Sequence, residues 1–66
     1  MLLIINGEDR EVEDGLTVAA LLALLQPGAG QVAVEVNARV VKRALHAEHV
    51  LGAGDRVEIV TFVGGG

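Results

Sequence analysis

The chain has no cysteine, no serine and only one aromatic residue, Phe62. Without cysteine, neither a disulfide nor a thiolate metal site can hold the domain together. Without serine there is no Ser-His-Asp triad. Lys42 is the only lysine, so a modifier that builds chains on itself has one attachment point. Long apolar runs are missing too. The longest, Val18 to Leu25, is less than half of what crosses a bilayer. Met1-Leu2-Leu3-Ile4-Ile5 has no basic stretch of the kind that opens a secretory signal. Positive charge is scarce: the net charge is -4 and the pI about 4.9. That balance disfavours binding to nucleic acid or an anionic membrane, and the lack of cysteine fits an expected cytoplasmic location.

What is present is apolar and small. Hydrophobic residues make up 52% of 66 residues, almost all Val, Leu, Ile and Ala, enough for one compact domain held by burial alone. The charges are segregated. Glu8, Asp9, Glu11, Glu13 and Asp14 come early, and Arg39, Lys42 and Arg43 sit together later. A partner with a complementary surface can read such a dipole.

Periodicity places the elements. Leu2 to Ile5 reads as a strand, and Asn6-Gly7 as a two-residue hairpin turn with φ > 0 at both positions. Glu11 to Glu13 reads as the returning strand, closed by Asp14-Gly15. Thr17 is the expected N-cap of a helix over Val18–Leu25. Val18, Leu21, Leu22 and Leu25 share its core face, Ala19, Ala20 and Ala23 lie opposite, and Leu24 is at the flank. Pro27-Gly28 is expected to stop it. Val32, Val34 and Val36 alternate with Ala33 and Glu35 as a half-buried strand. Asn37-Ala38-Arg39 turns the chain into Val40-Val41-Lys42. Arg43 to His49 reads as a turn or a short 3₁₀ segment, and Leu51 as a plug for the core. Gly54-Asp55 leads into a last strand, Val57 to Val63. The order ββαββ, an irregular segment, then β, with one helix, predicts an α+β fold.

Chemistry-bearing side chains are few. His46 and His49 stand three apart with only Glu48 between them, which supports loop or surface histidines and not a metal site. Gly28 and Gly30 flank Ala29 as loop punctuation, without the strand and helix start of a phosphate loop. Asp55 reads as a turn former. In the last strand, Val57, Ile59, Thr61 and Val63 share one face, and Glu58, Val60 and Phe62 the other. With the helix on the first face, Val60 and Phe62 are exposed, either as ordinary surface apolars or as a docking patch that Leu2 and Ile4 extend.

The chain ends Gly64-Gly65-Gly66. Glycine has no Cβ, so such a tail enters channels that reject other side chains. Three extended residues reach roughly 10 Å, enough to carry a terminal carboxylate into another protein's active site. The expected organisation is a domain over residues 1–63 and a mobile glycine tail over 64–66.

These pieces, in this order, resemble the ubiquitin-like β-grasp family, and within it the small sulfur carriers of thiamine biosynthesis. The resemblance is carried by Ile4-Ile5-Asn6-Gly7, Gly15-Leu16-Thr17-Val18 and Leu21-Leu22. It continues through Val34-Glu35-Val36-Asn37, Val40-Val41, Arg43, His46, Leu51 and Gly54-Asp55-Arg56-Val57-Glu58-Ile59. It closes on Phe62-Val63-Gly64-Gly65-Gly66. Ala20, where such carriers often have Glu, and Lys42, where they often have Pro, depart from the pattern.

The resemblance implies a β-grasp fold, with a mixed sheet of four to five strands on one helix. It also implies a carrier and not an enzyme. An E1-like adenylyltransferase would use ATP to adenylate the Gly66 carboxylate. A sulfur donor system such as a cysteine desulfurase would then supply sulfur to give a thiocarboxylate. A thiazole synthase would accept that sulfur. Gly64 and Gly65 would thread the partner active sites, and the chain itself would hold no metal or cofactor. The alternatives are a carrier serving molybdopterin synthesis or protein modification, or a β-grasp binding module with an inert tail.

Overall fold

The computed structural model describes residues 1–26 and 31–62. Five strands and one helix follow the chain as β1 (Leu2–Ile5), β2 (Glu8–Glu11), α1 (Val18–Leu25), β3 (Gln31–Val36), β4 (Arg39–Val41) and β5 (Arg56–Phe62), with a 3₁₀ turn over Arg43–Leu45. The sheet order is β2-β1-β5-β3-β4. Only β1 and β5 run parallel; the remaining neighbours are antiparallel. The last strand therefore fills the middle of the sheet. The expected mixed sheet on one helix is what is found.

Hairpin chemistry sets both outer pairs. Asn6 and Gly7 have φ of 50° and 83°, the positive values a primed two-residue turn needs. That turn pairs Ile5 with Glu8 at once. So β2 begins at Glu8, and not at Glu11 as the sequence suggests. Its four residues, Glu-Asp-Arg-Glu, are all exposed, which removes the alternation that marks a strand. Asn37 and Ala38, with φ of 52° and 68°, make the equivalent turn between β3 and β4.

The helix starts where expected. Thr17 accepts a hydrogen bond from the Ala20 amide at 3.1 Å. The Val18 and Ala19 amides donate to the carbonyls of His49 (3.0 Å) and His46 (2.8 Å), and Leu21 to Thr17 (2.9 Å). The amides of Val18, Ala19 and Ala20, which the helix leaves without internal partners, are thus all satisfied, and Leu21 makes the first bond of the helix ladder. At the other end Gln26 adopts a left-handed conformation and donates to Leu22. This closes the helix one residue before Pro27; the expected stop at Pro27-Gly28 lies outside the described residues.

The core is Leu3, Ile5, Val18, Leu21, Val34, Val36, Val41, Leu51 and Val57, with Leu22, Leu25 and Ile59 packed around it. Leu51 closes it from the loop side, as its position suggests. His46 differs from expectation. It is only 9% exposed, and its Nε2 lies 2.9 Å from the Val41 carbonyl oxygen. A carbonyl only accepts, so Nε2 carries the hydrogen. His46 is therefore a structural pin between the end of β4 and the loop that caps α1, not a surface histidine. No helix of the described residues is long and apolar enough to cross a membrane.

Candidate functional site

The segment that leads to the terminal glycines is β5. Among the described residues it is the longest strand, seven residues, and it lies between β1 on one side and β3 on the other. All six residues of β3 pair with it, from Val36↔Val57 to Gln31↔Phe62. Two asparagines at hairpin tips fasten it further. Asn6 donates through Nδ2 to the Ile59 carbonyl (3.2 Å) and accepts from the Ile59 amide through Oδ1 (2.7 Å). Asn37 accepts from the Arg56 amide at 3.0 Å, and its own amide donates to the Arg56 carbonyl at 2.7 Å. The Asn6 side chain thus mimics a peptide group and continues a ladder that the turning backbone has left, while Asn37 joins Arg56 through its side-chain oxygen and its backbone amide. The turn before β5 is fixed by Asp55, which accepts from the Gly52 amide (2.8 Å) and from Asn37 Nδ2 (3.0 Å). That is the turn-forming role expected of it. On one side β3 holds β5 through Phe62, and on the other β1 and then Asn6 hold it as far as Ile59. Gly64, Gly65 and Gly66 themselves lie outside the described residues.

The face of β5 away from the helix carries Val60, 57% exposed, and Phe62, 46% exposed. Register brings Ala33 of β3 beside Val60 and Gln31 beside Phe62. Leu2, 39% exposed, and Ile4, half-buried, share that face of the sheet but stand apart. Ile4 pairs with Arg56, four residues before Val60, a distance of about 13 Å along the strand. Arg56 and Glu58, both exposed, lie between. Val60, Phe62 and Ala33 thus form one apolar cluster at the tail end, and Leu2 and Ile4 a second across a charged row. Ala33 was not among the expected patch residues. Its signal was its outward parity in β3, but only the β3–β5 register places it next to Val60.

Electrostatics separates the two edges of the sheet. Glu8, Asp9 and Glu11 line the β2 edge, while Arg39 begins the β4 edge, with Lys42 and Arg43 just beyond it. The Met1 ammonium lies 3.0 Å from Asp14 Oδ1 and 3.6 Å from Glu11, and also donates to the Val12 carbonyl. The hydrogen bond to Asp14 raises this group above its ordinary value, against a smaller lowering by desolvation. Among the described residues no group of three or more His, Cys, Asp or Glu side chains could hold a metal ion. The His46 imidazole is committed to Val41.

Known proteins similar to this chain agree with this fold. A thiazole synthase of Paramagnetospirillum magneticum is 44% identical over 66 residues, covering 100% of this chain and 20% of that protein. A thiazole synthase of Magnetococcus marinus is 42% identical over 62 residues, 94% of this chain and 19% of that protein. The chain therefore spans about a fifth of the length of these two curated relatives. The crystal structure of thiamine biosynthesis protein ThiS from Geobacter metallireducens superposes with a TM-score of 0.87 at 35% identity, over 100% of both chains. The ThiS family model matches residues 3–66, through the glycine end, and with fold and sequence in accord the chain belongs to the ThiS family.

Proposed function

We propose that this protein carries sulfur for thiazole formation in thiamine biosynthesis, on Gly66. The observation that carries the reading is the ThiS family match running to residue 66, on a strand that β3 pairs as far as Phe62. A carboxylate is a poor electrophile because it would have to expel oxide. Adenylation by an ATP-using partner replaces that with a good leaving group, AMP, and splits one hard step into two easier ones. Sulfide then attacks the carbonyl carbon and AMP departs, leaving the sulfur on that carbon as a terminal thiocarboxylate; a donor that presents persulfide sulfur first forms an acyl disulfide, whose S–S bond a thiol then reduces to release the thiocarboxylate. Glycine offers the least hindered carboxylate a polypeptide can present, and Gly64 and Gly65 thread the narrow approach. The carrier supplies reach and recognition; the catalytic groups belong to its partners.

Those partners are an adenylyltransferase, a sulfur donor such as a cysteine desulfurase, and a thiazole synthase. The two relatives named thiazole synthase support the last of these. Val60 and Phe62 form the centre of the docking patch, with Leu2 and Ile4 beyond the charged row.

The test is mass spectrometry after incubation with the activating enzyme, ATP and a sulfur source. The native chain gains the mass difference between sulfur and oxygen. Deleting Gly66 shortens the reach by roughly 3.5 Å. Displacements of even about 1 Å can cost about 100-fold in positioned reactions. Both that deletion and a single residue added after Gly66 therefore abolish loading and leave the fold unchanged. An extended chain loaded as well as the native one would replace this reading with that of a binding module with an inert tail.

A further inference from the structure

One side of β5 runs out of partner before the strand ends. β1 pairs with it only at Arg56 and Val57, because the chain turns away at Asn6-Gly7. The Asn6 side chain then takes both polar groups of Ile59. The carbonyls of Asp55 and Val57 and both groups of Ile59 point to the β1 side. Strand parity therefore turns the Thr61 amide and carbonyl the same way. Among the described residues no strand pairs with β5 on that side beyond Val57.

A groove of about 420 Å³ lies against this free edge. Its walls are Ile5, Asn6, Ile59 and Thr61, with Leu25 at the end of the helix. Glu8, Asp9 and Arg10 of β2 complete it, two carboxylates against one guanidinium. It thus offers a backbone donor and acceptor that no strand of the described residues pairs, with apolar walls and a net acidic rim.

The geometry points to a β-augmentation site: an extended segment of a partner protein, bearing a basic side chain, pairs with β5 at Thr61 and becomes the strand that β1 does not supply. Main-chain bonds to Thr61 give the attachment, and Glu8 and Asp9 select the basic residue. The added strand lies beside Phe62, so it fixes the direction in which the chain leaves the sheet. The site does not depend on sulfur loading and stands or falls apart from it.

The probe is a synthetic heptapeptide of alternating valine and lysine, titrated into the full chain and followed by amide NMR. Shifts centre on Ile59, Thr61, Glu8 and Asp9, and the Thr61 amide exchanges at least tenfold more slowly. Thr61→Pro deletes the free amide without touching the β3 ladder, which uses the alternate residues. Proline is tolerated where a strand amide faces an open edge. This variant keeps the native spectrum and binds at least tenfold more weakly. A fully N-methylated peptide, which keeps the charge but cannot pair as a strand, fails to bind, and it decides the matter if the proline variant does not fold. Glu8→Gln with Asp9→Asn weakens binding about threefold at low salt. Equal binding of the N-methylated peptide, or shifts that avoid Thr61, would overturn the site; an unchanged affinity of the double variant would overturn the basic partner.

Discussion

Ala38 sits at φ 68° in an exposed turn, a conformation that costs a residue with a Cβ about 1–2 kcal/mol. The homologous position of the first hairpin holds Gly7. Ala38→Gly removes the strain and gives back part of the gain as unfolded-chain entropy. The expected net effect is a stabilisation of about 0.5–1 kcal/mol, or roughly 2–8 °C in Tm for a domain this size, read by thermal unfolding. Met1 supplies a second prediction. Its amino group is raised in the folded state, first by the hydrogen bond to Asp14. A raised group stabilises fully below its unfolded value and loses that contribution as pH climbs through the folded value. Denaturant midpoints of this polypeptide therefore fall as pH rises above 8.0, its ordinary value. Asp14→Asn flattens that fall, and added salt reduces it, because the pair is exposed.

At the scale of elements, His46 joins three of them: the end of β4 through Val41, the 3₁₀ turn, and the start of α1 through its carbonyl to Ala19. His46→Ala removes one of the hydrogen bonds to the Val41 carbonyl and opens a hole beside the core. The expected loss is about 2–4 kcal/mol by chemical denaturation, where a surface histidine would change stability by about 0.5 kcal/mol or less. The contrast shows what a sequence carries and what it does not. Strands β3 and β5 and the helix were legible because one face of each is buried, which writes a period of 2 or 3.6 into Val, Leu and Ile, and β1 was legible as an apolar run ended by the Asn6-Gly7 turn. β2 was not, because all four of its residues face solvent and nothing alternates. The burial of His46 left no signal either, since one polar residue in a turn looks the same whether it points in or out. Parity showed that Val60 and Phe62 face away from the helix. Their neighbours depend on inter-strand register, so the closeness of Ala33 and the gap to Leu2 and Ile4 appeared only in the assembled sheet.

For the whole molecule, sheet order turns a segregated sequence into a dipole. β2 and β4 are the two outer strands, so Glu8, Asp9 and Glu11 stand about 19 Å, four strand spacings, from the edge bearing Arg39. That separation exceeds the screening length of about 8 Å at physiological salt, so a partner approaching one edge feels little of the other. The apolar cluster of Val60, Phe62 and Ala33 lies between the two edges, on the central strands. Charge and apolar contact should then control different steps of association. Charge acts at a distance and sets the rate of encounter; buried aromatic contact forms late and sets the rate of escape. In stopped-flow binding to the activating enzyme, raising salt from about 0.05 to 0.5 M is expected to lower the association rate about tenfold, with little change in dissociation. Phe62→Ala is expected to do the reverse. It speeds dissociation by about 30-fold, the equivalent of roughly 2 kcal/mol lost at an aromatic anchor, while the unfolding midpoint stays close to native because the ring is half exposed. If instead the substitution slowed association and left dissociation alone, Phe62 would not be an anchor, and the docking face would have to be sought elsewhere on the sheet.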